Sequence, residues 1–236
     1  MLQTVGIIGS GMVGGAVARL AVAAGLDVVV SNSRGPETLA DLVALLGERA
    51  RAATVAEAAL AGDLVVVAVP LKAYDRLPVA ELAGKTVIDA MNYYPDRDGG
   101  LAELEAGELT SSALVQRRLA GARVVKAFNN IDFRRLFTSA RPAGAPDRSA
   151  LPVAGDDGSA KAEAIALLDV LGYDAVDIGT LADSRFSQPG TPVHVQPYMG
   201  ERPEGLGQED AQRWFFETPG IPVPAAQVKQ LVDAAR

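Results

Sequence analysis

A glycine-rich turn near the start of the chain places the strongest constraint on its fold. Residues 9–14 fit the pattern G-x-G-x-x-G, follow a short apolar segment (residues 5–8) and open a nearly uncharged one (residues 12–24). In such a strand-turn-helix unit the glycines allow a tight turn, close approach of a pyrophosphate and packing of helix on strand. The helix N-terminus adds N–H groups and a positive dipole end. The pattern therefore predicts a dinucleotide site that includes Gly9, Ser10, Gly11, Met12, Val13 and Gly14.

Short apolar segments alternate with segments of helical spacing along most of the chain. Strands are predicted at residues 5–8, 28–30, 51–54, 64–69, 86–89, 124–128, 151–154 and 175–178. Helices are predicted at residues 12–24, 36–46, 55–60, 77–82, 111–119, 159–171, 209–216 and 225–235. Such alternation is typical of an α/β fold whose parallel sheet carries helices on both faces. We expect a Rossmann-type doubly wound parallel sheet with a small second α/β portion at the C-terminus.

A segment rich in Pro, Gly, Ala and Asp, residues 141–150, predicts a surface loop or linker. It divides the chain into a Rossmann domain, residues 1–140, and a smaller C-terminal portion, residues 141–236. We found no internal repeat that would favour a solenoid over this arrangement.

The end of the second predicted strand lacks the acidic residue that NAD-binding sheets usually place there. The chain instead carries Asn32, Ser33 and Arg34 after Ser31. A carboxylate would accept hydrogen bonds from ribose hydroxyls and repel a 2′-phosphate, whereas a guanidinium binds a phosphate dianion bidentately. We interpret Asn32, Ser33 and Arg34 as NADP(H)-binding residues. The alternative is that Ser33 and Arg34 only form a solvated turn before Pro36.

Composition limits the other possibilities. The chain of 236 residues has no cysteine and one histidine, so disulfides, thiolate chemistry and multi-histidine metal sites are excluded, and we expect no metal. The formal net charge of -7 does not favour nucleic acid or an anionic membrane as partner. The longest apolar run, residues 64–71, is too short to cross a bilayer, and the N-terminus does not have the pattern of a signal peptide. We expect a cytoplasmic protein.

Several motifs resemble those of the F420-dependent NADP reductases, which pass a hydride between NADPH and a deazaflavin coenzyme. The opening segment GIIGSGMVGGAVARLAVAAGLDVVVSNSR is similar to the start of that family, including its Ser-Arg pair. Similar segments are VVVAVP, TVIDAMN, VVKAFNNI, PVAGDD and LADSRFSQPGTP. The resemblance implies NADP(H) as cofactor and coenzyme F420, or a related flavin, as second ligand. It places Val69 and Pro70 near the nicotinamide, Asn92 at the carboxyl end of the next strand, Ala127 and Asn129 at the end of the strand after that, and residues 141–236 on the acceptor side of a cleft. Asn92 and Asn129 could provide hydrogen-bond donors to the second ligand or could only cap the turns at the strand ends.

Other readings remain open at this stage. The chain could be an NADP-dependent dehydrogenase or reductase of a small organic substrate, although few residues remain for the large helical domain that such enzymes usually add. It could also be a non-catalytic NADPH sensor that signals through its tail, residues 193–236, for which the resemblance offers no counterpart. The aromatic residues Trp214, Phe215 and Phe216 favour core packing or a contact in a homodimer.

Four further polar residues have competing interpretations. His194 could transfer a proton, but a lone histidine is more often a packed or surface residue. Lys126 could reach a phosphate or extend its ammonium to the surface. Asp156 and Asp157 lie between glycines and predict a turn that caps the following helix rather than a metal pair. No catalytic acid or base is predicted, because hydride transfer between stacked rings depends mainly on alignment.

Overall fold

Eight strands between residues 2 and 236, the part of the chain that the computed structural model describes, form one continuous sheet. They are β1 (Thr4–Ile8), β2 (Asp27–Ser31), β3 (Ala50–Ala52), β4 (Leu64–Val67), β5 (Thr86–Asp89), β6 (Arg123–Lys126), β7 (Ala150–Gly155) and β8 (Asp174–Gly179). Their order is β3-β2-β1-β4-β5-β6-β7-β8. The reversal of strand order between β1 and β4 creates the crevice in which doubly wound sheets bind ligands.

Twelve α-helices surround the sheet in the described part of the chain. They are α1 (Met12–Ala23), α2 (Ala40–Leu46), α3 (Val55–Ala61), α4 (Val79–Leu82), α5 (Pro95–Asp98), α6 (Ala102–Glu105), α7 (Ser111–Arg118), α8 (Phe133–Thr138), α9 (Gly158–Val170), α10 (Gln196–Met199), α11 (Gln208–Glu217) and α12 (Ala225–Asp233). Short 3-10 helices occupy Pro36–Leu39, Leu71–Arg76 and Asp183–Ser187. In residues 2–236, none of the helices combines the length and apolarity needed to cross a membrane.

Successive side chains of β4 belong to two different hydrophobic clusters, so both faces of the sheet are buried. Leu64 and Val66 belong to one hydrophobic cluster, together with Val17 of α1, whereas Val65 and Val67 belong to a second cluster. Successive side chains of a strand point to opposite faces, so a strand that is apolar throughout needs cover on both. The doubly wound architecture predicted from the sequence is confirmed, and each predicted strand is present within about two residues of its expected bounds.

One pairing differs from the expected parallel sheet, because β7 runs antiparallel to β6 while all other neighbours are parallel. Val125 pairs with Gly155 and Lys126 with Ala154, so β7 begins beyond the carboxyl end of β6. A parallel connection would have to carry the chain back to the amino end of the sheet. The connection through α8 instead stays at the carboxyl end, and β7 enters from there.

The C-terminal portion is tied into the same sheet. Val193, Tyr198, Val223, Val228 and Val232 are all buried in the larger hydrophobic cluster. The Tyr198 hydroxyl donates to the Ala150 carbonyl oxygen at 2.8 Å, and the Ala150 N–H donates to the Val223 carbonyl at the same distance. The division into residues 1–140 and 141–236 stays a prediction.

The sequence missed α5, α6, α8 and α10, which are only four to six residues long. Periodicity cannot identify such short helices, because one turn does not establish a repeat. The predicted capping role is confirmed for Asp157, which accepts from the Ala160 N–H at the start of α9. Asp156 does not cap this helix and accepts from the Leu181 N–H instead.

A buried ion pair joins the carboxyl ends of β5 and β6. The Lys126 ammonium lies 3.2 Å from the Asp89 carboxylate and also donates to the Met91 carbonyl oxygen. The same carboxylate accepts from the Ser112 hydroxyl at 2.7 Å and from the Met91 N–H at 2.9 Å. Both charged side chains are at most 1% exposed. The two roles considered for Lys126 from the sequence, a phosphate contact and a surface position, are therefore wrong.

Burial lowers the pKa of Lys126, and the Asp89 carboxylate opposes that effect. Replacing Asp89 by Ala leaves the ammonium buried without its counter-charge, which typically costs about 3–5 kcal/mol. We expect that loss in the free energy of unfolding of the Asp89→Ala variant, measured by urea denaturation at neutral pH. A buried lysine with a lowered pKa binds fewer protons folded than unfolded, so the variant regains stability as the pH rises toward 10.5, the ordinary lysine value.

The exposed pair between Glu103 and Arg117, at 2.6 Å, provides a matched control. Glu103→Ala should change the free energy of unfolding by less than about 1 kcal/mol, because solvent screens that pair. A double variant, Asp89→Leu with Lys126→Met, should recover much of the loss by removing both buried charges. Equal losses in the free energy of unfolding for Asp89→Ala and Glu103→Ala would show that the buried pair contributes no more to stability than the exposed pair.

Candidate functional site

The glycine-rich turn adopts a geometry that side chains at two positions would prevent. Gly9 has a φ of +100°, and a Cβ there would lie 2.5 Å from the Ala68 carbonyl oxygen. A Cβ on Gly14 would collide with the Gly9 carbonyl oxygen. Gly11 differs, because a Cβ there would meet no atom within 4 Å. The two outer glycines therefore shape the turn, whereas Gly11 leaves open space beside the backbone, as close approach of a phosphate requires.

The start of α1 provides uncapped hydrogen-bond donors. Gly11 occupies the N-cap position and contributes no side-chain cap, while Met12 at the first helical position is 69% exposed. Backbone N–H groups in a first helical turn have no partner within the helix, and the helix dipole is positive there. The Ser10 hydroxyl donates to the Ser31 carbonyl oxygen at 2.8 Å and fixes the turn against β2. Backbone donors with a positive dipole suit a pyrophosphate.

The polar residues after β2 divide into structural and exposed ones. Ser31 is fully buried and donates to the Ile7 carbonyl oxygen at 2.9 Å. The Asn32 side-chain oxygen accepts from the N–H groups of Arg34 and Gly35, at 2.9 and 3.0 Å, and thereby shapes the turn. Ser33 and Arg34 are exposed, and the Arg34 guanidinium has no ion-pair or hydrogen-bond partner in residues 2–236. Ser33 and Arg34 are thus available to a ligand, whereas Asn32 holds the loop that presents them.

A cavity of about 320 Å³ lies beside this loop. Apolar side chains form much of its wall, and Asn32, Ser33, Lys72 and Arg76 supply its polar groups; the lining residues are Ile8, Gly9, Asn32, Ser33, Val55, Val69, Pro70, Lys72, Ala73, Arg76 and Leu77. Its volume lies within the range of small-molecule sites. An apolar slot with cations at its mouth matches the chemistry of an adenosine that carries a phosphate.

The sequence pattern did not identify Lys72 and Arg76 as candidate site residues. They are two exposed cations four residues apart, directly after Val69 and Pro70, and their side chains have no hydrogen-bond or ion-pair partner in the described part of the chain. A 3-10 helix has about three residues per turn, so residues four apart do not share one side of it. The spacing of Lys72 and Arg76 in the 3-10 helix Leu71–Arg76 therefore gave no signal, and only the structure shows that both line this cavity.

The remaining predicted cofactor-binding residues follow three neighbouring strands. Val69 and Pro70 come after β4, Asn92 comes after β5, and Ala127 and Asn129 come after β6. Because β4, β5 and β6 are parallel neighbours, their carboxyl ends meet at one edge of the sheet. The structure thus brings these residues to the same edge as the glycine-rich turn that follows β1.

Asn92 and Asn129 bind each other directly. The Asn92 amide donates to the Asn129 backbone carbonyl at 2.7 Å, and the Asn129 amide donates to the Asn92 side-chain oxygen at 3.2 Å and to the Ser187 carbonyl at 2.8 Å. The Asn129 side-chain oxygen is buried and accepts no hydrogen bond in residues 2–236. Buried polar atoms normally have partners, so an unpaired acceptor at this edge is a candidate contact for a ligand N–H group.

Two residues with left-handed backbone conformation flank this loop. Phe128 has a φ of 63° and Val195 a φ of 60°, which is costly for residues with a bulky or branched side chain. Asn130 joins the two segments, because its carbonyl accepts from the Val195 N–H at 2.7 Å and its amide donates to the Val193 carbonyl at 3.1 Å. The start of the tail is therefore fixed over the end of β6.

His194 lies beside this cluster and is partly buried. Burial lowers its pKa, and the nearby Lys126 ammonium lowers it further. A hydrogen bond with the Asn129 backbone opposes this lowering of the pKa only in part. The Nε2 atom is buried and has no hydrogen-bond partner among residues 2–236. In the same range no three His, Asp or Glu side chains cluster as a metal site would require.

Known proteins match both the sequence and the fold. Residues 4–93 match the family model of NADP oxidoreductases dependent on coenzyme F420. A hypothetical protein from Sinorhizobium meliloti is 31% identical, with a TM-score of 0.71 over 83% of this chain and 94% of that protein. A candidate F420-dependent NADP reductase from an Arthrobacter species is 25% identical, with a TM-score of 0.65 over 78% of this chain and 88% of that one. No curated protein matches the chain significantly.

Larger dehydrogenases share the fold alone. The 3-hydroxyisobutyrate dehydrogenase of Mycobacterium tuberculosis is 17% identical, with a TM-score of 0.54 over 77% of this chain and 56% of that enzyme. The match over residues 4–93 includes the glycine-rich turn, β2 and the carboxyl ends of β4 and β5, where the candidate site lies. The chain belongs to the coenzyme F420-dependent NADP oxidoreductase family, a family of NAD(P)-dependent oxidoreductases.

Proposed function

We propose that the protein transfers a hydride between NADP(H) and a deazaflavin, coenzyme F420, or a related flavin-type acceptor. The observation that carries the NADP(H) part is the pair Ser33 and Arg34, exposed at the end of β2 where an NAD-specific sheet would present a carboxylate. Membership of the family supports the deazaflavin part. Residues 141–236 form the acceptor side of the site in this proposal.

The residues present fit a phosphorylated dinucleotide from end to end. Ser33 and Arg34 would bind the 2′-phosphate through hydroxyl and guanidinium donors. The apolar cavity beside Ser33 would take the adenine ring. Val69 and Pro70, which the resemblance places near the nicotinamide, line this cavity and would contact the adenosine end instead. The backbone N–H groups of Met12 and Val13 would bind the pyrophosphate beside the open space at Gly11.

The carboxyl ends of β5 and β6 would hold the nicotinamide end. Asn129 has a buried side-chain oxygen without a partner in residues 2–236, which suits the N–H of a carboxamide. Asn92 fixes the Asn129 backbone, and Ala127 provides a small wall without polar atoms. Bound NADPH supplies the hydride. The side chains at this edge therefore have to orient the two rings and exclude water from between them, and they need not exchange protons.

A direct test mixes the purified protein with NADPH and oxidised coenzyme F420 in a stopped-flow spectrometer. We expect loss of the visible absorbance of the deazaflavin, because two rings held in contact by the edge after β4, β5 and β6 permit hydride transfer. Omission of the protein gives the background rate. Flavin mononucleotide in place of the deazaflavin determines whether the acceptor site accepts the wider flavin class.

Binding of NADPH without transfer to either acceptor would contradict the proposed reaction and favour the sensor interpretation. Reduction of a small carbonyl or imine substrate in place of both acceptors would favour the dehydrogenase interpretation. Absence of NADPH binding would contradict the proposal at its first step.

Arg34→Ala tests selection of the phosphorylated cofactor. A charge-assisted hydrogen bond is worth about 1.5–3 kcal/mol, so the variant should bind NADPH roughly ten- to a hundredfold more weakly, as measured by titration calorimetry. Binding of NADH should change little, because NADH has no 2′-phosphate for the guanidinium to contact.

Arg213→Ala provides the control, since Arg213 is an exposed arginine of α11 that pairs with Asp210 at 3.4 Å. It should leave both affinities unchanged. If Arg34→Ala keeps the parent's ratio of NADPH to NADH affinity, electrostatic selection at the end of β2 is not the basis of cofactor preference.

A further inference from the structure

A second cavity, of about 270 Å³, opens on the other side of the glycine-rich turn. It lies between α1 and α8, and its wall includes Ser10, Gly11 and Met12 at the start of α1. Gly15, one turn further along α1, also lines it, and a Cβ there would meet nothing within 4 Å. The cavity therefore reaches the same uncapped backbone donors to which the proposed function assigns the pyrophosphate.

Two arginines line this cavity, Arg19 from α1 and Arg134 from α8. Arg19 is seven residues beyond Met12, which is roughly 10 Å along the helix axis. Its guanidinium lies over the Phe137 ring, 5.5 Å from the centroid. Arg134 comes from the first turn of α8 and lines the cavity opposite the glycine-rich turn.

The neighbours of Arg134 are engaged in holding α8, while its guanidinium is not. The Asp132 carboxylate caps α8 by accepting from the N–H groups of Arg134 and Arg135, at 3.0 and 3.1 Å, and it lies 3.5 Å from the Arg135 guanidinium. Arg135 is fully buried and donates to the Thr218 carbonyl oxygen at 3.1 Å. Within residues 2–236, the Arg134 guanidinium makes no ion pair or hydrogen bond.

The tail supplies an aromatic neighbour of Arg134. Its guanidinium lies 5.8 Å from the ring centroid of Phe216 in α11. Phe216 in turn packs edge-on against Phe215 and Phe133, at 5.2 and 6.4 Å between centroids. Arg135 lies over the Phe215 ring at 4.7 Å. This aromatic cluster attaches α11 to α8, and it places a planar ring beside the guanidinium of Arg134, a residue that lines the cavity.

We propose that Arg134 is a pyrophosphate ligand of the dinucleotide site and that Phe216, from the tail, positions it. The inference rests on the proposed function, because it assumes a dinucleotide on the glycine-rich turn. The helix start provides only partial positive charge, whereas a pyrophosphate carries two negative charges. A guanidinium beside it adds a full charge and bidentate donors. The tail, residues 193–236, thereby acts on cofactor affinity without contacting the cofactor.

Titration calorimetry with both NADPH and NADH tests the role of Arg134. Both dinucleotides carry the pyrophosphate, so Arg134→Ala should weaken both by the same factor, roughly tenfold or more. Arg134→Lys keeps the charge but not the bidentate geometry and should fall between the parent and Arg134→Ala. Arg19→Ala is the matched control, because it removes a cation from the same cavity two turns away, and it should leave both affinities close to those of the parent.

A double-mutant cycle tests the role of Phe216. Phe216→Leu should weaken both dinucleotides by roughly two- to fivefold in the parent, since an exposed cation–π contact is worth about 0.5–1 kcal/mol. In the Arg134→Ala background the same change should have no effect, because it acts through Arg134. Unchanged thermal midpoints would show that the variants are folded.

The outcomes separate this inference from the proposed function. If the parent binds both dinucleotides and Arg134→Ala binds them equally well, the inference is wrong and the proposed function stands. If Arg134→Ala weakens NADPH alone, Arg134 contacts the 2′-phosphate and the pyrophosphate assignment is wrong. An additive effect of Phe216→Leu would overturn the positioning role. A parent that binds neither dinucleotide would contradict both proposals.

Discussion

A carboxylate and an ammonium without access to solvent hold the carboxyl ends of β5 and β6 together. Asp89 receives hydrogen bonds from Lys126, Ser112 and the Met91 N–H, so the end of β5, the end of β6 and the start of α7 meet at one carboxyl group. Desolvation makes such a pair costly unless its charged atoms have hydrogen-bond partners. Here both the carboxylate and the ammonium have further hydrogen-bond partners besides each other. The loops that carry Asn92 and Asn129 leave the sheet directly beyond this pair. Their position depends on it.

Most polar residues around the candidate site form hydrogen bonds within the protein and are not available to a ligand. Ser31 bonds to β1, Asn32 closes the loop after β2, and Asn92 and Asn129 bind each other. These contacts leave a small set of groups available at the edge of the sheet. Ser33 and Arg34 lie at one end, and the unpaired oxygen of Asn129 lies at the other. Such a division is expected for hydride transfer, in which rigid alignment contributes more than proton exchange.

The tail connects two regions that are distant in sequence. Its first part is fixed over the end of β6 through Asn130, and Val223, Val228 and Val232 pack against β7 and β8. Between them, α11 attaches to α8 through Arg135 and an aromatic cluster. Because α8 also packs on α1, packing contacts connect the tail through α8 to the helix that begins at the glycine-rich turn. Residues without a counterpart in the sequence resemblance are thus part of the structure around the candidate site.

The sequence by itself determined the sheet, the turn and the chemistry at the end of β2. Apolar strands and glycines are local signals, and G-x-G-x-x-G after a buried strand leaves few alternatives. Only the tertiary structure decided that β7 pairs antiparallel to β6, that Lys126 is buried against Asp89, and that Lys72, Arg76 and Arg134 face cavities beside the predicted site. Each of these depends on which segments meet in space. A short strand, a single lysine or a short helix carries no periodicity that identifies its partner, because pairing and burial depend on the rest of the chain.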